Sequence, residues 1–146
     1  MINFEKFVNE GHRILNELSV ELGHPEEKER TGIVLRAVLH TLRNHISIPQ
    51  SLNLLAQLPM FLKGIYVEQW KYHEKPIRIK SLEHFAEEVE KEQSNFGESR
   101  FDWDQSTIDI SKTVLNYLRK YISEGEIEDI TAELPKELKE LFYEHA

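Results

Sequence analysis

Apolar residues recur at intervals of three and four along most of the chain, the spacing that places them on one face of an α-helix. One such stripe consists of Val38, Leu39, Leu42 and Ile46. Another runs through Ile14, Leu15 and Leu18, after an asparagine at position 3 that is suited to cap a helix. The pattern therefore predicts an all-α protein.

The stretch from Val38 to Glu68 occurs a second time between Val114 and Glu144, at a constant offset of 76 residues and without a gap. Of the 31 aligned positions 12 are identical, whereas unrelated sequences would share about 2. A shorter similarity, at an offset of 78, relates residues 3–7 to residues 81–85. We therefore predict one domain, 1–146, built as a tandem duplication of a four-helix unit. Its repeats would cover approximately 1–70 and 80–146, giving about eight helices around a shared core.

Signals for helix ends recur at matching places in the two copies. Ser47 and Ser123 each precede a Gln or Glu by three residues, the capping-box pattern in which that side chain bonds back to the serine amide. Pro59 and Pro135 each follow a leucine, where proline turns the chain and can open a new helix. Each copy is thus predicted to be a long helix, a capped short helix, a corner and a final helix.

Further helix boundaries are predicted from single residues. Gly23 is expected to end the first helix, and Pro25 to open a second helix that runs to about His45. Asp104 could cap the helix that follows the polar loop 93–104.

Four matched positions are apolar in the first copy and charged in the second. The first copy has Ile48, Leu52, Met60 and Phe61, where the second has Glu124, Glu128, Lys136 and Glu137. If the copies share a fold, these apolar side chains are either covered by the segment containing Trp70 and Tyr72 or exposed as a contact surface. The second alternative makes Ile48, Leu52, Met60 and Phe61 a candidate interface for a homodimer or a protein partner.

Arg43 and Arg119 recur in both copies and allow two interpretations. A partly buried arginine can donate to backbone carbonyls at a helix end. Alternatively, the two could contact a small or anionic ligand between the repeats, together with the basic linker 71–80.

Composition narrows the class of protein. The 146 residues are 40% hydrophobic and 30% charged, as in ordinary globular domains. The absence of cysteine excludes disulfides, thiol nucleophiles and thiolate metal sites.

No apolar run approaches the roughly 20 residues that span a bilayer, and residues 1–6 do not resemble a signal peptide. We therefore expect no membrane association and a cytoplasmic location in a bacterium or similar cell. A net charge of −8 disfavours nucleic-acid binding.

Motifs of known chemistry were not found. The sequence has no glycine-rich phosphate loop, no Gly-x-Ser-x-Gly and no His-Glu-x-x-His. Glu21 and His24 have the Glu-x-x-His spacing of di-iron bundles, but they straddle a predicted helix end. His40 and His45 are five residues apart, which does not place both on one helix face. We therefore predict no catalytic residue, no cofactor and no metal ligand, and rank an enzyme below the binding hypotheses.

Several segments together resemble a known bacterial family, the "domain of unknown function 2267". The matching segments are Ala37–Arg43, Ala56–Pro59, Gly64–Tyr66 with Trp70, Ser81–Phe85, Ile122–Ile127, and Leu134–Leu138 with Leu141 and Phe142. The resemblance implies an all-helical fold and brings no activity, cofactor or catalytic residue. The leading functional hypothesis is a non-catalytic, self-associating helical interaction module, and the alternative is a binder of a small or anionic ligand between the repeats.

Overall fold

A computed structural model describes residues 1–71 and 76–143. Within these ranges the chain forms eight α-helices and no strand, which confirms the predicted all-α fold. The helices are α1 (Phe4–Glu21), α2 (Lys28–Asn44), α3 (Ile48–Gln57), α4 (Met60–Val67), α5 (Leu82–Ser94), α6 (Thr107–Leu118), α7 (Glu124–Ala132) and α8 (Glu140–Tyr143). Short 3₁₀ helices cover Arg119–Tyr121 and Lys136–Lys139. No described helix is long and apolar enough to cross a membrane.

Two predicted helix starts were wrong. Pro25 does not open α2, because residues 24–27 form a turn in which the Glu27 amide donates to the His24 carbonyl at 2.9 Å. The helix begins three residues later. Asp104 does not cap α6, since the Ser106 hydroxyl accepts from the Asp109 amide at 3.1 Å.

Helices α2 and α6 form the centre of the fold. Helix α2 packs against α1, α4, α5 and α6, and α6 also packs against α1, α5 and α8. Their apolar stripes belong to one buried cluster, which includes Val38, Leu39, Leu42, Val114, Leu115 and Leu118. Helices α3 and α7 pack against each other beside this pair.

The serine caps form as predicted, but the return bonds of the capping boxes do not. Ser47 and Ser123 accept from the amides of Gln50 and Glu126, at 3.3 and 3.1 Å. The side chains of Gln50 and Glu126 do not return to the serine amides. Instead the Gln50 amide group donates to the Glu126 carboxylate, both side chains being buried in the contact of α3 with α7. Burial raises the pKa of Glu126.

The serine amides are satisfied from the opposite half of the chain. The Ser47 amide donates to Glu133 at 2.7 Å, and the Ser47 hydroxyl donates to the same carboxylate at 2.8 Å. The Ser123 amide donates to Gln57 Oε1 at 2.7 Å. Glu133 and Gln57 are matched residues in the two aligned stretches, so the two contacts are reciprocal. The ends of α3 and α7 are thereby joined in both directions.

Candidate functional site

An apolar surface lies where the start of α1 meets the start of α4. Ile2, Phe4, Phe7 and Met60 line one groove of about 540 Å³, and we call these four residues the α1–α4 surface. The exposed fractions are 75% for Ile2, 74% for Phe4, 44% for Phe7 and 60% for Met60. Large apolar side chains gathered at such exposure are typical of contact sites rather than of ordinary monomer surface.

Helix α1 is held to α4 by contacts just behind this surface. Gly11 allows the Phe61 ring to approach so closely that a Cβ at position 11 would lie 2.8 Å from two ring carbons. Glu10 Oε1 accepts from the Phe61 amide at 2.9 Å, which satisfies one of the free amides at the start of α4. Phe7 meets the Phe61 ring edge to face at 6.3 Å. These contacts leave Phe4 and Met60 directed outward.

Lys6 and Glu10 also line the groove. They stand four residues apart on α1, one helical turn, and so lie on the same side of it. The apolar side chains are thus bordered by one positive and one negative group. A border of this kind can pair with a copy of itself in a twofold contact.

The four residues of the sequence-predicted interface are not brought together as one patch. Met60 joins the α1–α4 surface, whereas Phe61 is half-buried beneath α1. Ile48 and Leu52 lie on α3 and are not among the residues lining the groove. Leu52 is 57% exposed and Ile48 is half-buried. Trp70, proposed as cover, instead packs edge to face on Tyr66 at 5.7 Å, and Tyr72 lies outside the described residues.

The residues of α1 that complete the surface were not identified from the sequence. A signal was present, because α1 carries two apolar stripes rather than one. Gly11, Ile14 and Leu18 form the stripe that faces the rest of the fold, and Phe7 continues this stripe to the edge of the surface, where it is 44% exposed. Phe4, Val8 and Leu15 form a second stripe about 70° around the helix, and Phe4 and Val8 are exposed.

Arg43 and Arg119 donate to backbone carbonyls near the ends of helices. Arg43 Nη1 lies 2.8 Å from the carbonyls of both Tyr66 and Glu68, and only 6% of the residue is exposed. Burial lowers the pKa of Arg43. Arg119 Nη1 lies 3.1 Å from the Phe142 carbonyl, and its Nη2 lies 2.5 Å from Glu124.

A second groove, of about 590 Å³, lies between the linker and the corner at Pro135. Arg78, Lys80 and Glu133 line it, as does His45, whose Nδ1 donates to the Ile77 carbonyl at 2.5 Å. Neither Arg43 nor Arg119 is among the lining residues of this groove or of the first. The linker residues 72–75 lie outside the described part of the chain. Ligand binding by the two arginines therefore stays a prediction that neither groove supports.

Comparison with known proteins supports the resemblance seen in the sequence. A family model described as "Uncharacterized conserved protein (DUF2267)" matches residues 11–141. The match includes Met60 and begins after Ile2, Phe4 and Phe7. No curated protein matches the chain.

Proposed function

Because the chain belongs to the DUF2267 family, whose description assigns no activity, we propose a function from its own surface. The protein acts as a non-catalytic, cytoplasmic interaction module that associates with a second copy of itself through the α1–α4 surface. The observation that carries this proposal is the groove in which Ile2, Phe4, Phe7 and Met60 are exposed together.

We also propose that the fold is two four-helix units, approximately 1–70 and 80–146, related by an approximate twofold. The reciprocal contacts of Ser47 with Glu133 and of Ser123 with Gln57 support this arrangement. The contact of Gln50 with its matched residue Glu126 lies where the axis would pass. Under this arrangement the α1–α4 surface belongs to the first unit alone.

A second copy fits the surface by both its chemistry and its charge. Contact between two copies would remove the exposed rings of Phe4 and Phe7 from water, at roughly 25 cal/mol for each Å² of apolar area. In a twofold contact with α1 helices antiparallel, Lys6 of one copy can approach Glu10 of the other. The same border groups thus favour self-association over a partner of uniform charge.

The test is the solution mass, measured by light scattering after size exclusion, of the wild type and of Phe4→Glu/Met60→Glu. Phe4 and Met60 are the first residues of α1 and α4, where an acidic side chain is compatible with the helix dipole. We expect a wild-type dimer and a folded monomeric variant. Leu52→Glu is the control, since it introduces an acidic side chain at a leucine of α3 that is about as exposed as Met60, and it should remain dimeric.

A wild-type monomer at concentrations up to about 1 mM, where association worth about 4 kcal/mol would be seen, would overturn the proposal. A dimer that is dissociated by Leu52→Glu but not by Phe4→Glu/Met60→Glu would place the interface on α3. Circular dichroism of each variant checks that the helical content is unchanged.

A further inference from the structure

The turn between α1 and α2 brings three side chains with metal-binding groups together. A ring nitrogen of His24 and carboxylate oxygens of Glu26 and Glu27 all lie within 4.8 Å of one another. His24 and Glu27 are partly buried, and Glu26 is exposed. The sequence predicts Glu26 and Glu27 in a helix opened by Pro25 and pairs His24 only with Glu21, whereas the turn at residues 24–27 brings the three side chains together.

The tautomer of the His24 ring is set by a residue outside the cluster. Gln105 Nε2 donates to the Leu22 carbonyl at 2.6 Å, which fixes the orientation of the Gln105 amide. Its Oε1 therefore faces His24 Nε2, at 3.3 Å. An amide oxygen can only accept, so Nε2 carries the proton and Nδ1 of the neutral ring has a free lone pair. Trp103 stacks on the ring at 4.2 Å and holds its plane.

The free lone pair of His24 faces another acceptor. Nδ1 lies 3.3 Å from Glu27 Oε2, which already accepts from Trp103 Nε1 at 2.9 Å. Two acceptors repel each other at this distance. The contact is favourable only with a positive species between the two atoms, either a second ring proton or a metal ion. Two ligands about 2.0–2.1 Å from a tetrahedral ion lie about 3.3 Å apart. We propose that His24, Glu27 and Glu26 bind a divalent first-row transition metal, with Zn²⁺ as the representative ion.

The surrounding charges permit a cation here. Arg30 binds the other oxygen of Glu27 at 2.9 Å, but its charge is compensated by Glu98 at 2.8 Å and Asp102 at 2.6 Å. A hydrogen-bonded ring nitrogen opposite the metal-binding one is the usual arrangement of a histidine ligand. One imidazole with two carboxylates favours zinc and its neighbours over Mg²⁺ and Ca²⁺, which prefer oxygen ligands alone.

The test is titration of the full chain with ZnCl₂ at pH 7.5, followed by calorimetry and by tryptophan fluorescence. The sequence has two tryptophans, so a Trp70→Phe background makes the fluorescence report on Trp103 alone. We expect one saturable site whose filling changes the Trp103 emission, because that ring contacts both His24 and Glu27. The same concentration of MgCl₂ should give no such change.

Variants assign the binding to these side chains. His24→Gln should weaken Zn²⁺ binding by at least about ten-fold, and Gln105→Leu by about ten-fold through loss of the ring orientation. Glu26→Gln should weaken it more mildly, and because Glu26 is exposed this change leaves folding intact. His12→Gln, at an exposed histidine of α1, is the matched control and should bind as the wild type does.

Absence of a saturable Trp103 response to Zn²⁺ would overturn the proposal. Equal Zn²⁺ affinity in wild type and His24→Gln would also overturn it, as would an equal response to Mg²⁺. If His24→Gln fails to fold by circular dichroism, unchanged Zn²⁺ affinity in Glu26→Gln and Gln105→Leu together would lead to the same conclusion.

Discussion

The aligned stretches 38–68 and 114–144 share an arginine–carbonyl contact but differ in the conformation of the chain that this contact holds. In both, an arginine reaches 23 residues ahead to the carbonyl of an aromatic residue, Arg43 to Tyr66 and Arg119 to Phe142. The chain between differs. The first stretch continues from its proline into α4, whereas the second forms a 3₁₀ helix before the short α8. The arginine contact therefore tolerates two backbone conformations in the segment that it holds.

The two stretches also use their matched residues 61 and 137 in opposite ways. In the first, Phe61 packs on α1 and its amide donates to the carboxylate of Glu10. In the second, Glu137 itself accepts from the Leu82 amide at 2.6 Å, at the start of α5. The apolar Phe61 is held by α1, whereas the acidic Glu137 caps the start of α5. Phe4, in α1, is exposed, while the aligned Leu82, in α5, packs against the core.

The largest effect on stability is expected from replacing each of the two arginines by alanine. We expect Arg43→Ala to lower the free energy of unfolding by about 3 kcal/mol, because two carbonyls lose a donor within a site closed to water. Arg119→Ala should cost about 1 kcal/mol, since 23% of its side chain is exposed and it donates to one carbonyl. Urea unfolding of both variants measures the difference. Equal losses would mean that the arginines contribute alike despite their different burial.

Smaller effects, of opposite sign to each other, are expected from replacing two glycines, one in α1 and one in α4. Gly11→Ala should lower the free energy of unfolding by about 1 kcal/mol, because the new methyl group displaces the Phe61 ring. Gly64→Ala, in α4, meets nothing within 4 Å and should raise it by up to about 1 kcal/mol through helix propensity. Thermal unfolding of the two variants checks the signs. Stabilisation by Gly11→Ala would show that α1 can move away from α4 without cost.

The smallest effect is a loss of stability with falling pH, which of the two stretches only the first should carry. Burial lowers the pKa of His40 and of His45, and the aligned residues are Asn116 and Tyr121. Below the ordinary histidine pKa of about 6.5, these two histidines bind protons more readily in the unfolded chain than in the folded one. Their contribution to stability is therefore complete above about pH 6.5 and is lost as the pH falls through the folded-state pKa.

The matched variant for this effect is His40→Asn, which introduces the residue of the second stretch. Urea unfolding midpoints between pH 7.5 and pH 5 should fall less steeply in the variant than in the wild type. Glu126 acts in the opposite sense, because its raised pKa favours proton uptake by the folded state, and it does so equally in both proteins. Parallel pH profiles would exclude His40 as a source of the loss.

The sequence by itself determined the helices and most of their ends. Serine caps at Ser47 and Ser123, the leucine–proline corners and the apolar stripes each involve residues within about one turn of one another, so local chemistry was sufficient to predict them. The two misplaced starts have different local causes: residues 24–27 form a turn around Pro25, and Ser106, two residues beyond Asp104, caps α6 instead.

The tertiary structure alone decided which side chains meet. The bond from Ser47 to Glu133 spans 86 residues, and that from Gln105 to His24 spans 81. The exposure of Phe4 depends on how α1 lies against α4, and the contact of Glu27 with both His24 and Trp103 depends on how loop 95–106 folds over the start of α2. Such contacts join segments that are far apart in the chain, so no local sequence pattern predicts them. Only the packing of the helices brings them within bonding distance.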